Sequence, residues 1–177
     1  MTEKPTATPL PDKSADESAS LADVLRHGDR YTLRFRRRLA TTVADAWSAI
    51  SEPDRIARWF APVTIENRRW ITYWDNGREY AAGQILSCEP EEHLEVSWRA
   101  TDDVDSAMES VLRISLHPEA DGVLLVLQHE RLHRQDVEQY GAGWHAFLEG
   151  FPGGGEQLNW GERFRSQQPH YRGLASP

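Results

Sequence analysis

Two aromatic-rich stretches decide the fold: Val43-Ala-Asp-Ala-Trp-Ser-Ala-Ile-Ser-Glu-Pro-Asp-Arg-Ile-Ala-Arg-Trp-Phe60 and Tyr140-Gly-Ala-Gly-Trp-His-Ala-Phe-Leu-Glu-Gly-Phe151. Apolar residues recur at helical spacing in both, whereas the residues between them follow strand patterns. The first stretch predicts two short helices. Thr42 with Asp45 resembles a capping box for the first, and Ser51 with Asp54, together with Pro53 in the first turn, is expected to start the second. The second stretch predicts a single helix that closes the folded region.

Outside these stretches the sequence predicts an antiparallel sheet. Residues 31–39 alternate in polarity and form the first strand. Further strands are predicted over residues 63–66, 70–74, 80–88, 94–98, 108–116 and 123–132. Because short turns such as Asn76-Gly77 join them, neighbouring strands run antiparallel. The predicted fold class is therefore α+β: a sheet wrapped around a C-terminal helix, with two short helices after the first strand.

The 177 residues suffice for one domain with terminal extensions. Residues 1–28 are rich in Thr, Pro, Ser, Ala and acidic residues, so we expect a disordered or partly helical tail. A short helix over residues 20–26 is one possibility within it. We expect the folded domain over residues 29–152, followed over 153–177 by a glycine-rich connector and a C-terminal arm.

Composition argues against several functions. The formal net charge of −8 at pH 7 repels phosphate, so no nucleic-acid partner is expected. No apolar run approaches the roughly 20 residues that span a bilayer, and no signal peptide is recognisable, so we expect a cytoplasmic protein without membrane insertion. The single cysteine, Cys88, excludes an internal disulfide and is expected to fill space within a strand.

Two motifs suggest cofactors, and we expect neither cofactor. His129-Glu-Arg-Leu-His133 matches a zinc-protease motif, which needs both imidazoles on one helix face. The preceding residues predict a strand, in which residues four apart are separated by about 13 Å, against about 6 Å on a helix. Gly141-Ala-Gly143-Trp-His-Ala146 loosely fits a dinucleotide motif but follows no strand of a βαβ unit. We therefore expect no metal site and no dinucleotide.

Strand alternation directs one set of side chains toward the closing helix. Arg37 shares a face with Leu33 and Phe35, and an inward arginine needs a partner or an anionic ligand. Apolar walls with few polar groups describe a small-molecule site of about 300–1,000 Å³, although the same side chains could also pack solid. The candidate ligand-binding residues are Arg37, Trp59, Phe60, Trp98, Leu127, His129, Tyr140, Trp144 and Leu148. We assign no catalytic residue.

These residues also resemble a known superfamily. The motifs that carry the resemblance are Arg37-Arg-Leu39, Val43-x-x-Ala-Trp47-x-x-Ile50, Pro53, Ala57-Arg-Trp-Phe60, Gly83-Gln-Ile-Leu-Ser-Cys-Glu-Pro90, His93-Leu-Glu-Val-Ser-Trp98, Leu125-Val-Leu-Gln-His129 and Gly143-Trp144-x-x-x-Leu148. In this order they resemble the SRPBCC superfamily, in its branch similar to the C-terminal domain of the activator of the heat-shock-protein-90 ATPase. The chain departs from that branch at Gly153-Gly-Gly155 and at Arg68-Arg69, where relatives often continue the helix and place glycine, respectively.

The resemblance implies a START-like helix-grip fold, in which a curved antiparallel sheet grips the long C-terminal helix. That fold hosts carriers, receptors, enzymes and co-chaperone modules, so it implies function less directly. We expect noncatalytic binding of a hydrophobic or amphipathic small molecule between sheet and helix. One alternative is a co-chaperone-like module with a protein partner. Another is a polyketide cyclase-like or hydrolase enzyme that uses His129 with Arg37 or Tyr140. Monomer and homodimer are both compatible with the sequence.

Overall fold

A computed structural model describes residues 21–101, 109–151 and 160–174 of the chain. Its strands are β1 (Asp23–His27), β2 (Arg30–Leu39), β3 (Val63–Glu66), β4 (Arg69–Tyr73), β5 (Glu79–Glu89), β6 (His93–Ala100), β7 (Ser110–Glu119) and β8 (Gly122–Leu132). Its α-helices are α1 (Val43–Ser51), α2 (Pro53–Ile56), α3 (Val137–Leu148) and α4 (Trp160–Tyr171), and a 3₁₀ turn over Arg134–Asp136 leads into α3.

The strands form one curved antiparallel sheet, and the predicted α+β helix-grip fold is confirmed. Their order is β1-β2-β8-β7-β6-β5-β4-β3. After β2 the chain crosses the sheet through α1 and α2, enters at the far edge as β3, and returns strand by strand until β8 pairs with β2. Helix α3 then covers the face on which the core lies. None of the helices in the described ranges is long and apolar enough to cross a membrane.

The N-terminal strand corrects the sequence prediction. Residues 23–26 belong to β1, not to a short helix or a tail, and they pair with β2 across a turn at Gly28, whose φ is +65°. Asp23 accepts hydrogen bonds from Arg34 at 3.2 Å and from Arg36 at 2.7 Å. β2 therefore offers β1 both backbone hydrogen bonds and ion pairs. These interactions favour a strand over the helix that the weak periodicity predicts. Residues 1–20 lie outside the described part of the chain.

The two short helices form as predicted, except at the start of the second. The backbone N–H of Asp45 donates to Thr42 Oγ1 at 3.2 Å, which confirms the predicted cap. Ser51, expected to help start α2, is the last residue of α1, and its hydroxyl donates to the Trp47 carbonyl at 2.7 Å. Helix α2 begins at Pro53 and spans only four residues.

The β3–β4 turn forms at Asn67-Arg68 without a glycine. Asn67 and Arg68 both have positive φ, 49° and 65°, as a two-residue hairpin turn requires. The guanidinium of Arg68 donates to the carbonyls of Ile85 at 2.7 Å and Leu86 at 3.1 Å, beside a register shift in β5. These bonds help hold Arg68 in the left-handed backbone conformation, which residues other than glycine rarely adopt.

The C-terminal arm is a helix packed against α3. Tyr171 of α4 is only 1% exposed, and its hydroxyl accepts from the backbone N–H of Ala22 at 3.1 Å. It also lies 3.0 Å from Nδ1 of His145. Gly141 permits this packing, because a Cβ there would meet the Tyr171 ring at 2.3 Å. One residue thus joins the N-terminal strand, α3 and α4. Gly153-Gly-Gly155 lies outside the described residues.

Candidate functional site

Three aromatic rings divide the space between the sheet and α3. Phe60, which follows α2, stacks on Trp144 of α3 with ring centroids 5.5 Å apart and planes inclined by 19°. Trp98 of β6 lies edge-on to both rings, at 6.0 Å from Phe60 and 5.4 Å from Trp144. These three residues line both cavities described below, and we call them the aromatic partition.

An apolar cavity of about 170 Å³ lies on one side of the partition. Aliphatic side chains from the two short helices and from β3, β5, β6 and β7 form its walls, together with Trp59 and Trp70. Both indole N–H groups donate to backbone carbonyls, that of Trp59 to Ala49 at 2.8 Å and that of Trp70 to Ser97 at 3.0 Å. Their polar atoms are therefore already used, and the rings present carbon to the cavity.

An aromatic cavity of about 140 Å³ lies on the other side, between α3, α4 and the β4–β5 end of the sheet. Trp74 and Trp160 line it, each only partly covered, with 40% and 36% of their surfaces exposed. Trp74 packs on Tyr80 with centroids 4.2 Å apart, and Trp160 stacks on Phe164 at 4.9 Å. Helix α4 thus supplies part of the wall.

His129 lies behind the partition, where hydrogen bonds fix its tautomer and burial keeps it neutral. It has no exposed surface, and its Nδ1 accepts from the Trp144 indole N–H at 3.0 Å. Its Nε2 lies 2.9 Å from the Ser110 hydroxyl, which donates to the Trp98 carbonyl at 3.1 Å. Because an indole can only donate, Nδ1 carries no proton and Nε2 does. Burial lowers the pKa of His129 to about 3, so the ring is neutral.

A second polar cluster lies between α3, α4 and β2, away from both cavities. His145 is buried, and burial, followed by the charges of Arg37 and His170, lowers its pKa to about 4. Burial raises the pKa of its partner Tyr171 to about 12. Arg37 is 2% exposed and donates to the Arg36 carbonyl at 2.8 Å, and burial lowers its pKa. This cluster joins elements of the fold, and its residues line neither the apolar nor the aromatic cavity.

Comparisons with known proteins agree with this architecture. A family described as "Activator of Hsp90 ATPase homolog 1-like protein" matches residues 40–153. The chain belongs to this family. No curated protein sequence matches it significantly.

Solved structures similar to this family member include CalU16 from Micromonospora echinospora, at 26% sequence identity and a TM-score of 0.66, covering 88% of this chain and 95% of that one. A protein from Bordetella parapertussis gives 21% identity and a TM-score of 0.64, covering 87% and 92%. The Aha1 dimer from Colwellia psychrerythraea gives 12% identity and a TM-score of 0.59, covering 68% and 92%. The last two likenesses show the fold alone.

In this Hsp90-activator-like domain the nine candidate residues separate into four groups. Those that line a cavity are Trp59, Phe60, Trp98, Tyr140 and Trp144. His129 supports the cavity walls from behind through Trp144. Leu127 and Leu148 are buried in the core, and Arg37 belongs to the second polar cluster. Each cavity is smaller than the range expected from the sequence.

Sequence reasoning missed much of the aromatic cavity. The missed lining residues include Tyr73, Trp74, Tyr80, Phe147, Trp160 and Phe164. Helical spacing could have found Phe147, which follows Trp144 by three residues on α3. The residues of α4 carried no comparable signal, because few apolar residues occur after residue 151 and the helix gains its stability from packing on α3.

The zinc-protease motif falls where the sequence predicted, at the end of a strand. β8 continues through Leu132, with Arg131 at a positive φ of 63°. His129 faces Ser110 and Trp144, whereas Nε2 of His133 lies 2.6 Å from Nη1 of Arg30. Within the described residues, no group of three or more His, Cys, Asp or Glu side chains is arranged to hold a metal ion.

Proposed function

We propose that this domain binds a hydrophobic or amphipathic small molecule in the space between its sheet and α3, without catalysing a reaction on it. One observation carries the proposal: the two cavities meet at the same three rings, Phe60, Trp98 and Trp144. Phe60 is only half-buried and follows a four-residue helix, so it is the member of the partition with the least surrounding structure.

The sizes of the cavities support a ligand that spans both. Each cavity alone, at about 170 and 140 Å³, is small for a metabolite. Joined by a rotation of the Phe60 ring, they approach the lower end of typical small-molecule sites, about 300 Å³. Apolar linings without partner atoms lose dispersion contacts, so filling them with a ligand is favourable.

The state of His129 supports a non-catalytic role. A general base must reach its substrate with a free nitrogen and a pKa near the working pH. Both nitrogens of His129 are engaged inside the protein, its pKa lies near 3, and it lines neither cavity. Action on the heat-shock-protein-90 ATPase is a separate prediction of the family resemblance, and a change in that ATPase rate on adding the domain would support it.

Binding can be measured by the displacement of 1-anilinonaphthalene-8-sulfonate with decan-1-ol, and by thermal shift with decan-1-ol alone. At a hundred times its dissociation constant, a ligand adds roughly 2.7 kcal/mol to the free energy of unfolding. We expect a positive shift with decan-1-ol. Absence of displacement and of any shift would reject the proposal.

A matched pair of variants on β3 tests the location. Ile65 lines the apolar cavity, whereas its neighbour Glu66 lies on the opposite, exposed face of the same strand and lines neither cavity. Ile65→Trp should weaken decan-1-ol binding by roughly tenfold or more, because the larger side chain occupies the cavity. Glu66→Trp should leave binding unchanged. Equal affinities in both variants would place the ligand elsewhere and contradict the proposed site.

A further inference from the structure

The aromatic cavity differs from the apolar cavity in the chemistry of its walls. Among the described residues that line it, ten of fourteen are aromatic, and they come from β4, the β4–β5 turn, β5, β6, α3, α4 and the segment after α2. The apolar cavity is walled mainly by isoleucine, leucine and valine. Two compartments of different chemistry, which share the aromatic partition, suit a ligand whose two ends differ.

Several polar atoms of the residues that line the aromatic cavity are already engaged within the protein. The Trp98 indole N–H donates to the Tyr140 hydroxyl at 3.1 Å, and the Trp144 indole N–H is taken by His129. The Tyr73 hydroxyl lies 3.1 Å from that of Thr64. What the walls offer instead is aromatic ring surface, which attracts cations electrostatically.

The charge at this cavity is negative, the sign that attracts a cation. Asp75 is the one charged residue among the described residues that line it, and no lysine or arginine of that part of the chain does so. Asp75 is exposed in the turn between β4 and β5, which is held by other bonds, from Gly77 N–H to the Trp74 carbonyl at 2.8 Å and from Arg78 N–H to Asn76 Oδ1 at 3.0 Å. Its carboxylate is therefore not required for the turn. The net charge of −8 adds a long-range attraction for cations.

We propose that the aromatic cavity takes the cationic end of the ligand, a quaternary or protonated amine, while the apolar cavity takes its hydrocarbon part. The inference rests on the proposed function and deepens it: the ligand is an organic cation with an apolar group. Aromatic rings supply the attraction at short range, and Asp75 at the mouth supplies it at longer range.

A pair of isosteric probes tests the charge directly. Phenyltrimethylammonium and tert-butylbenzene have nearly the same shape, and only the first is charged. Titrations followed by the NMR signals of the Trp98 and Trp144 indole N–H groups report binding at the partition. We expect the cation to bind at least roughly tenfold more tightly, in line with desolvated cation–π contacts. Equal or tighter binding of tert-butylbenzene would overturn the inference.

Two substitutions with the same change of charge complete the test. Asp75→Asn should weaken the binding of phenyltrimethylammonium by roughly three- to tenfold and leave the affinity for tert-butylbenzene unchanged. Asp121→Asn, in the exposed β7–β8 turn and lining neither cavity, should change neither probe. An equal loss of affinity for the cation in both variants would show that the effect comes from the net charge alone. It would overturn the role of Asp75.

The outcome separates this inference from the proposed function. If decan-1-ol binds at the Ile65 site but the cation shows no advantage over its isostere, the inference fails and the proposed function stands. If neither decan-1-ol nor either aromatic probe binds, the proposed function fails, and the inference fails with it.

Discussion

The indole nitrogen of Trp144 lies 3.0 Å from Nδ1 of His129, so the closing helix α3 is tied to the central strand β8 by a buried hydrogen bond. Both side chains are almost fully buried, at 3% and 0% exposure. The same tryptophan belongs to the aromatic partition. The contact therefore links the stability of the fold to the position of a cavity wall.

Removing this donor should destabilise the protein. Trp144→Phe keeps an aromatic ring but leaves Nδ1 of His129 buried without a donor, at a cost of about 1–3 kcal/mol in the free energy of unfolding. Urea titration at pH 7 measures this quantity. Trp74→Phe is the matched control, because Trp74 is 40% exposed, and its effect should stay within about 0.5 kcal/mol. A loss no larger for Trp144→Phe than for the control would contradict the role assigned to the bond.

The two buried histidines should make stability fall in mild acid. The folded-state pKa is about 3 for His129 and about 4 for His145, below the ordinary value of 6.5. Between about pH 4 and 6.5 the unfolded chain binds more protons than the folded one, so the free energy of unfolding falls as the pH falls. Each histidine contributes a slope of roughly 1.4 kcal/mol per pH unit in that window.

Urea titrations from pH 7 to pH 4.5 would measure this slope. His145→Gln should remove about half of the histidine contribution, since Gln does not titrate. His117→Gln, at an exposed position of β7, is the control for replacing a histidine outside the core. A slope in His145→Gln equal to that of the unmodified protein would show that His145 is protonated in the folded state.

Two glycines of α3 should respond in opposite directions to alanine. At Gly141 a Cβ would collide with the Tyr171 ring at 2.3 Å, so Gly141→Ala should destabilise the protein by about 1–3 kcal/mol and loosen α4. At Gly143 a Cβ meets nothing within 4 Å, so Gly143→Ala should gain up to about 1 kcal/mol of helix propensity. Thermal unfolding of both variants gives the comparison. Stabilisation by Gly141→Ala would mean that α4 does not dock as described.

Opening the partition should change ligand preference. Phe60→Ala removes the ring that contacts Trp98, Trp144 and Phe147, and so joins the two cavities. We expect longer alcohols such as dodecan-1-ol to gain affinity relative to hexan-1-ol, because each further buried methylene contributes about 0.8 kcal/mol. Displacement titrations measure the ratio. Phe147→Ala, which enlarges the aromatic cavity alone, should shift the ratio less. An unchanged ratio in Phe60→Ala would argue against a ligand that spans both cavities.

The sheet and the helices α1, α2 and α3 were predicted from local sequence patterns. The alternation of β2 placed Arg37 inward and Arg34, Arg36 and Arg38 outward, and the structure agrees. The weak helical pattern before residue 28 gave a wrong prediction, because pairing with β2 decided the conformation there. Helix α4 was not predicted, since its position depends on Gly141 and on Tyr171 bonding to Ala22 across 149 residues of sequence.

The sequence by itself determined the α+β class, the strand order of the meander, the inward face of β2 and the aromatic character of the closing helix. Each depends on the spacing of apolar residues within a short stretch. The geometry of a helix or strand places residues at that spacing on one face. Only the tertiary structure decided that the interior holds two cavities of different chemistry, that His129 is locked in one neutral tautomer, and that α4 walls the aromatic cavity. These features arise where side chains distant in sequence meet, and their packing and desolvation are properties of the assembled core.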